Sequence, residues 1–363
     1  MLYIIIIGLI VLGFLLPKSK VVHILLLFLS YSLFTLSYDD GDRLIYMEEY
    51  ENIGSGIGSD YEILYVALMK VCSFFGLTFY MFRFLTAGIT FFCLEYVTTK
   101  YCKNINIVWA LYFIFSAMFD ATVIRNSLAM GIALIVLVKM LSKKNLKDEI
   151  ICYGLSFVAA LIHSSYWILP LILALWKPMQ KTTIRYVFVV SVLLLYSAVS
   201  AYDQQIFSIY GSLLVREATI DKYMTGFYSN TIGQIYNFVK YCIIISPVIV
   251  FWPNRMLKKI PICAHETLIR NIFLINLLFI VILLPQAIAT NFSRLLRIII
   301  FLNYVYLACC YDVKKYRLAI AVYGVFYSST LLLLLLLFES ITSIDIILNM
   351  HLETNEIFKM LNF

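Results

Sequence analysis

Residues 150–176 read IICYGLSFVAALIHSSYWILPLILALW, an apolar run interrupted in its middle by His163-Ser164-Ser165. A helix rises about 1.5 Å per residue, so the half before His163 covers only ~21 Å of a ~30 Å hydrocarbon core. Two readings follow. One is a single tilted span, with a partner span miscounted elsewhere. The other is a pair of short segments that meet at a polar corner and return to the side they came from, which lipid tolerates where the break lines a wet cavity. The second keeps every basic cluster of the chain on one side, and the fold follows from it.

The rest of the sequence belongs in the same solvent. The chain has 363 residues, 63% hydrophobic and 13% charged, with a mean hydropathy of +0.91. A soluble domain is about 45–50% apolar and about 25% charged. These values predict an all-α, polytopic transmembrane bundle of about 10–12 spans, some broken or re-entrant, forming a single integral membrane domain over 1–363. Residues 2–16 lack a basic region before them and a small-residue cleavage site after them, so they read as a retained span and not as a signal peptide. The eight cysteines form no CxxC pair and fall mostly inside apolar runs. They read as small buried hydrophobes, without disulfide or metal roles.

Short basic clusters separate the apolar runs: Lys18/Lys20, Lys100/Lys103, Lys143/Lys144/Lys147, Lys177/Lys181/Arg185, Arg255/Lys258/Lys259 and Lys314/Lys315/Arg317. They hold more than half of the 28 Lys and Arg residues, and by the positive-inside rule they face the cytoplasm. That arrangement makes 61–76, which carries Glu62 and Lys70, an outer interfacial or re-entrant helix. It leaves loops 37–77 and 203–233, the 120–126, His163 and 290–297 corners and the tail 339–363 outside. Loop 37–60 is acidic, with Asp39, Asp40, Asp42, Glu48, Glu49, Glu51 and Asp60 against Arg43.

Ionisable groups near a bilayer are expensive and are functional candidates for that reason. Arg125 stands between two apolar runs, and its planar fork of donors suits phosphate or carboxylate; its alternative is an internal pair with Asp120 or snorkelling to the interface. Arg294 and Arg297 are three apart and share a face if they lie on one helix, where they can grip a pyrophosphate or simply meet lipid phosphate. His163 can carry a proton, and Ser164 beside it can hold a sugar. Asp39, Asp40, Asp42 and Glu62 are carboxylates fit to act as a general base toward an attacking sugar hydroxyl; the aspartates can equally hold a divalent metal or form a solvated loop. Arg83 reads as a structural partner of Glu62 or of the acidic loop. The 54–58 stretch, GSGIG, lacks the lysine and the strand–loop–helix setting of a phosphate loop.

The features Asp39–Arg43, then Asp60-Tyr61-Glu62-Ile-Leu-Tyr65, Ile124-Arg125-Asn126-Ser127-Leu128-Ala129, the basic Lys143-Lys144 hairpin and Leu161-Ile162-His163-Ser164-Ser165 resemble the EpsG-like branch of the Wzy-type polysaccharide polymerases. These serve bacterial capsule, exopolysaccharide and O-antigen synthesis. The family often has Arg-Gln where this chain has Arg125-Asn126, a shorter amide. The resemblance implies an all-helical glycosyltransferase, similar to the GT-C-like enzymes that use lipid carriers, multi-pass in the bacterial cytoplasmic membrane with its site facing out. It implies undecaprenyl-diphosphate-linked oligosaccharide as donor and acceptor, and work without a metal or cofactor. A flippase and a chain-length regulator are the candidate protein partners, with no nucleic acid. On that reading His163, Asp40 and Glu62 are the catalytic candidates. Arg125, Arg294, Arg297, Asp39, Asp42, Arg43, Asn126 and Ser164 are the substrate-binding ones.

Two other classes fit the same composition. A flippase of lipid-linked oligosaccharide should show an internal repeat and charges through the depth of the bundle; no half-to-half repeat stands out, and Lys139, Lys240 and Arg270 are the few interior charges. A ligase-type transferase shares the donor chemistry and differs in its acceptor.

Overall fold

The computed structural model describes residues 2–36, 43–142, 145–201, 231–251, 266–288 and 290–334. Among these residues every regular element is helical. The N-terminal half contains α1 (Leu2–Leu15), α2 (Lys20–Leu36), α3 (Arg43–Gly54), α4 (Ile63–Phe74), α5 (Phe79–Tyr101), α6 (Ile105–Ile114), α7 (Ser116–Thr122) and α8 (Ile124–Ser142). The remainder contains α9 (Leu146–Ile162), α10 (Ile168–Trp176), α11 (Thr182–Ala201), α12 (Thr231–Val250), α13 (Glu266–Leu278), α14 (Leu283–Ile288), α15 (Leu296–Cys310) and α16 (Arg317–Leu334). Among the described residues six helices are long and apolar enough to cross a membrane alone, and α6 with α7, bent by 61°, forms either a broken seventh span or a re-entrant pair. The chain is therefore a polytopic helical membrane bundle.

Local chemistry sets the helix ends. Thr78 accepts the Met81 N–H at 3.4 Å and starts α5, and Asn145 accepts the Asp148 N–H at 2.9 Å and starts α9. Each satisfies a donor left over in a first turn. At His163 the backbone turns extended (φ −150, ψ 117) and α9 stops. The His163 ring then caps a 3-10 turn, Ser164–Trp167, which leads into α10. The break expected in 150–176 is thus present. Pro170 sits in the first turn of α10, where its missing N–H costs least.

Long-range contacts sort the helix ends into two groups. At one end Asn106 donates to the Leu16 and Ser19 carbonyls at 2.6 and 3.0 Å, Asn104 to the Ala308 carbonyl at 2.8 Å, and Lys18 meets Asp312 at 3.8 Å. This end carries the basic turns at 18–20, 100–103 and 314–317. At the other end Arg83 donates to the Phe34 carbonyl, Tyr50 donates to the Leu77 carbonyl at 2.7 Å, and Glu62 meets Arg125. Glu62 is taken by Arg125, so of the two partners expected for Arg83 it is not the one used; Asp39, Asp40 and Asp42 of the acidic loop, the other, lie outside the described residues. The 12-residue α4 spans only ~18 Å, too short to cross a hydrocarbon core alone, and lies at this second end.

The core centres on α15, all of whose residues are buried. A helix apolar nearly all round belongs inside. Close approach at one edge of the core depends on glycine: a Cβ at Gly13 of α1 would come within 2.9 Å of the Ala110 Cβ and 3.1 Å of the Asn106 carbonyl on α6. Small residues permit such contacts between membrane helices. Gly13→Val should force α1 off α6 and destabilise the detergent-solubilised protein by about 1–3 kcal/mol, read as a lower thermal unfolding temperature; an unchanged midpoint would contradict this packing. Cys93, Cys102, Cys152, Cys309 and Cys310 are buried, whereas Cys242 is exposed.

Candidate functional site

One carboxylate organises the end of the bundle opposite the basic turns. Glu62 stands just before α4, and its two oxygens reach two other segments. Oε2 meets the Arg125 Nη1 on the first turn of α8 at 2.5 Å. Oε1 accepts the Ser164 N–H at the His163 corner at 2.8 Å. Three segments distant in sequence are thereby joined by charge-assisted bonds.

Arg125 has a second partner on its flat face. Its guanidinium lies over the Tyr61 ring, 4.3 Å from the centroid. Tyr61 in turn packs on Tyr46 and Tyr65, with ring centroids 5.7 and 6.0 Å away. Stacking and a fixed carboxylate leave the guanidinium little freedom, yet its side chain is still 13% exposed. The Arg125 Nε has no hydrogen-bond partner. A preoriented, reachable cation of this kind is suited to a phosphate.

His163 is 6% exposed. Its Nδ1 accepts the Ser165 N–H at 3.3 Å. A neutral imidazole that accepts at Nδ1 carries its proton on Nε2. In that tautomer Nε2 is the ring's donor, one of the two proton-handling roles that the sequence allows. Tyr166, three residues on, donates to the Asn126 carbonyl at 3.2 Å and so ties the corner to α8. Asn126 is 1% exposed, and neither its amide nitrogen nor its oxygen has a hydrogen-bond partner. Such groups are costly to leave unpaired. Ser164 is exposed beside them.

The two C-terminal arginines occupy different settings. Arg294 lies on a 3-10 turn, Thr290–Leu295, and is partly exposed. This turn packs against Ser164–Trp167. Arg297 lies on α15 and is 3% exposed. It forms an ion pair with Asp120 on α7, donates to the Ser127 Oγ at 3.0 Å and lies over the Phe119 ring at 4.8 Å. Tyr112 donates to the other Asp120 oxygen at 2.8 Å. The change from a 3-10 turn to an α-helix between the two arginines removes the shared helical face that their spacing suggests. Asp120 pairs with Arg297 and not with Arg125.

Arg43 donates to the Tyr80 hydroxyl at 3.1 Å and links α3 to α5. Asp39, Asp40 and Asp42 lie outside the described residues, as do Lys143 and Lys144. Among the described residues no group of three or more His, Cys, Asp or Glu side chains could hold a metal ion.

Structure therefore joins Glu62, Arg125, His163 and Ser164, sets Arg294 beside the same corner and withdraws Arg297 into the core. Sequence reasoning missed the tyrosine stack under Arg125. Spacing gives no reliable signal for it, because Tyr61 precedes α4 and only Tyr65 lies on that helix. It also missed the Tyr166–Asn126 tie, which no local pattern announces.

The sequence matches the family described as the EpsG family over residues 20–347. No curated protein and no solved structure matches it.

Proposed function

Because the chain belongs to the EpsG family, we propose that it is a polysaccharide polymerase: a glycosyltransferase that joins undecaprenyl-diphosphate-linked oligosaccharide repeat units and releases undecaprenyl diphosphate. The observation that carries this reading is the Arg125 guanidinium, oriented by Glu62 and Tyr61 next to the His163 corner. The site lies at the end opposite the basic turns, which by the positive-inside rule supports a location at the outer face of the bacterial cytoplasmic membrane.

Arg125 and Arg294 bind the diphosphate of the donor, and the His163 side chain handles a proton at the adjoining corner. A hydroxyl of the acceptor's terminal sugar attacks the donor's anomeric carbon. The new C–O bond forms as the bond to diphosphate breaks, and the electron pair leaves with the diphosphate. Fixed cations stabilise that developing charge, which is usually the largest contribution to such a reaction. The hydroxyl proton passes to a carboxylate. Glu62 has both oxygens engaged, so we assign it a positioning role and assign the base to Asp40, with Asp39 and Asp42 beside it. Their segment joins Leu36 to Arg43, and both flanks lie at the site end. Asn126 and Ser164 contact the sugar.

The test is incubation of purified protein with one lipid-linked repeat unit, with and without EDTA. A ladder of products that survives chelation is expected. Transfer only to a finished lipid core or wall polymer would replace polymerase by ligase. Loss of the ladder, restored by magnesium, would move the aspartates to metal binding.

A further inference from the structure

The C-terminal half buries polar groups that the reaction above does not use. On α12, Gln234, Asn237 and Lys240 recur every three residues and are buried on one face. Opposite them on α14 is Gln286, also buried, whose Nε2 donates to the Asn237 Oδ1 at 2.7 Å. Asn237 and Gln286 are each 1% exposed. The remaining half of each amide, the Asn237 Nδ2 and the Gln286 Oε1, has no hydrogen-bond partner. A buried donor and a buried acceptor thus stand unmatched within one interhelical contact, in a part of the protein where water is scarce and such groups are costly.

Their position bears on what could match them. α14 packs on the Thr290–Leu295 turn that carries Arg294, and that turn packs on Ser164–Trp167. The Asn237–Gln286 pair therefore adjoins the proposed diphosphate site through a single helix end. Tyr196 on α11 braces the same face by donating to the Gln234 carbonyl at 2.7 Å. A sugar ring offers donors and acceptors side by side on adjacent carbons, which is what one free amide nitrogen and one free amide oxygen require.

We propose that Asn237 and Gln286 form a saccharide subsite that holds the glycan of the lipid-linked donor while Arg294 holds its diphosphate. This rests on the polymerase reading, so its test separates the two. Binding of bare undecaprenyl diphosphate and of the lipid-linked repeat unit, extracted from a host strain lacking this chain, is measured for the wild type and for an Asn237→Leu/Gln286→Leu double variant. Wild type should bind the glycan-bearing lipid more tightly than the bare one. The double variant should keep its affinity for the bare lipid and bind the glycan-bearing lipid about tenfold more weakly, the effect of one or two hydrogen bonds. Unchanged affinity for both lipids would make the amides a helix–helix contact and overturn the subsite. Wild type that binds neither lipid would overturn the polymerase reading as well. If the double variant does not survive purification, Gln286→Met, similar in length and without the amide, carries the same comparison and the same outcomes.

Discussion

Arg125→Lys should leave the protein inserted at normal levels and abolish long polymer. The charge survives this change, but the planar fork does not. Lysine cannot hold Glu62 with one nitrogen and offer others to an oxyanion, and it loses the guanidinium stacking over Tyr61 at 4.3 Å. Removing one preorganised donor to developing negative charge typically costs about 10²–10³ in rate. Polymer length on a gel, set against membrane protein level, reads the outcome. Glu62→Gln belongs in the same experiment. It keeps an acceptor for the Ser164 N–H and loses only the charge, so its loss should be smaller, about tenfold, if Glu62 positions Arg125. Normal polymer from Arg125→Lys would remove the arginine from the mechanism. A Glu62→Gln loss as complete as that of Arg125→Lys would make Glu62 the base.

Asp120→Ala should be the most destabilising single substitution of a polar residue. It strands the Arg297 guanidinium in the most buried helix of the bundle, with Arg297 3% exposed and Asp120 fully buried. Breaking a buried pair from one side costs about 3–5 kcal/mol, whereas replacing both partners by apolar groups is often neutral. The Asp120→Leu/Arg297→Leu double variant should therefore recover most of the thermal stability in detergent. Its activity answers a second question. Arg297 also touches Ser127, whose hydroxyl donates to the Asp120 carbonyl at 2.7 Å, so the network anchors the start of α8 and with it Arg125. A stable double variant that still polymerises makes Arg297 structural. A stable but inactive one returns it to the substrate.

The Arg125 and Arg297 cases mark how far the sequence could be read. Composition and the spacing of basic clusters sufficed for a polytopic helical bundle, because hydrocarbon accepts few other structures and loop charge follows orientation. The short halves around His163 announced a break, and the charges at 62 and 70 announced that 61–76 is no simple span, as the 12-residue α4 bears out. These are local signals, carried by length, polarity and period. The bend of α6 against α7 at Phe115 left no comparable mark, since the run is apolar on both sides of it.

Partner choice among the charged groups was decided only in three dimensions. Asp120 is five residues from Arg125 and 177 positions from Arg297 in the numbering, yet it pairs with the distant one. Glu62 passes over Arg83 and meets Arg125. A side chain pairs with whatever the packing of helices brings to its tip, and that depends on crossing geometry and helix rotation, which residue type and spacing do not encode. What the chain carries by itself is the list of charges that lipid makes costly; which of them face a substrate and which neutralise one another is settled by how the helices around α15 come together.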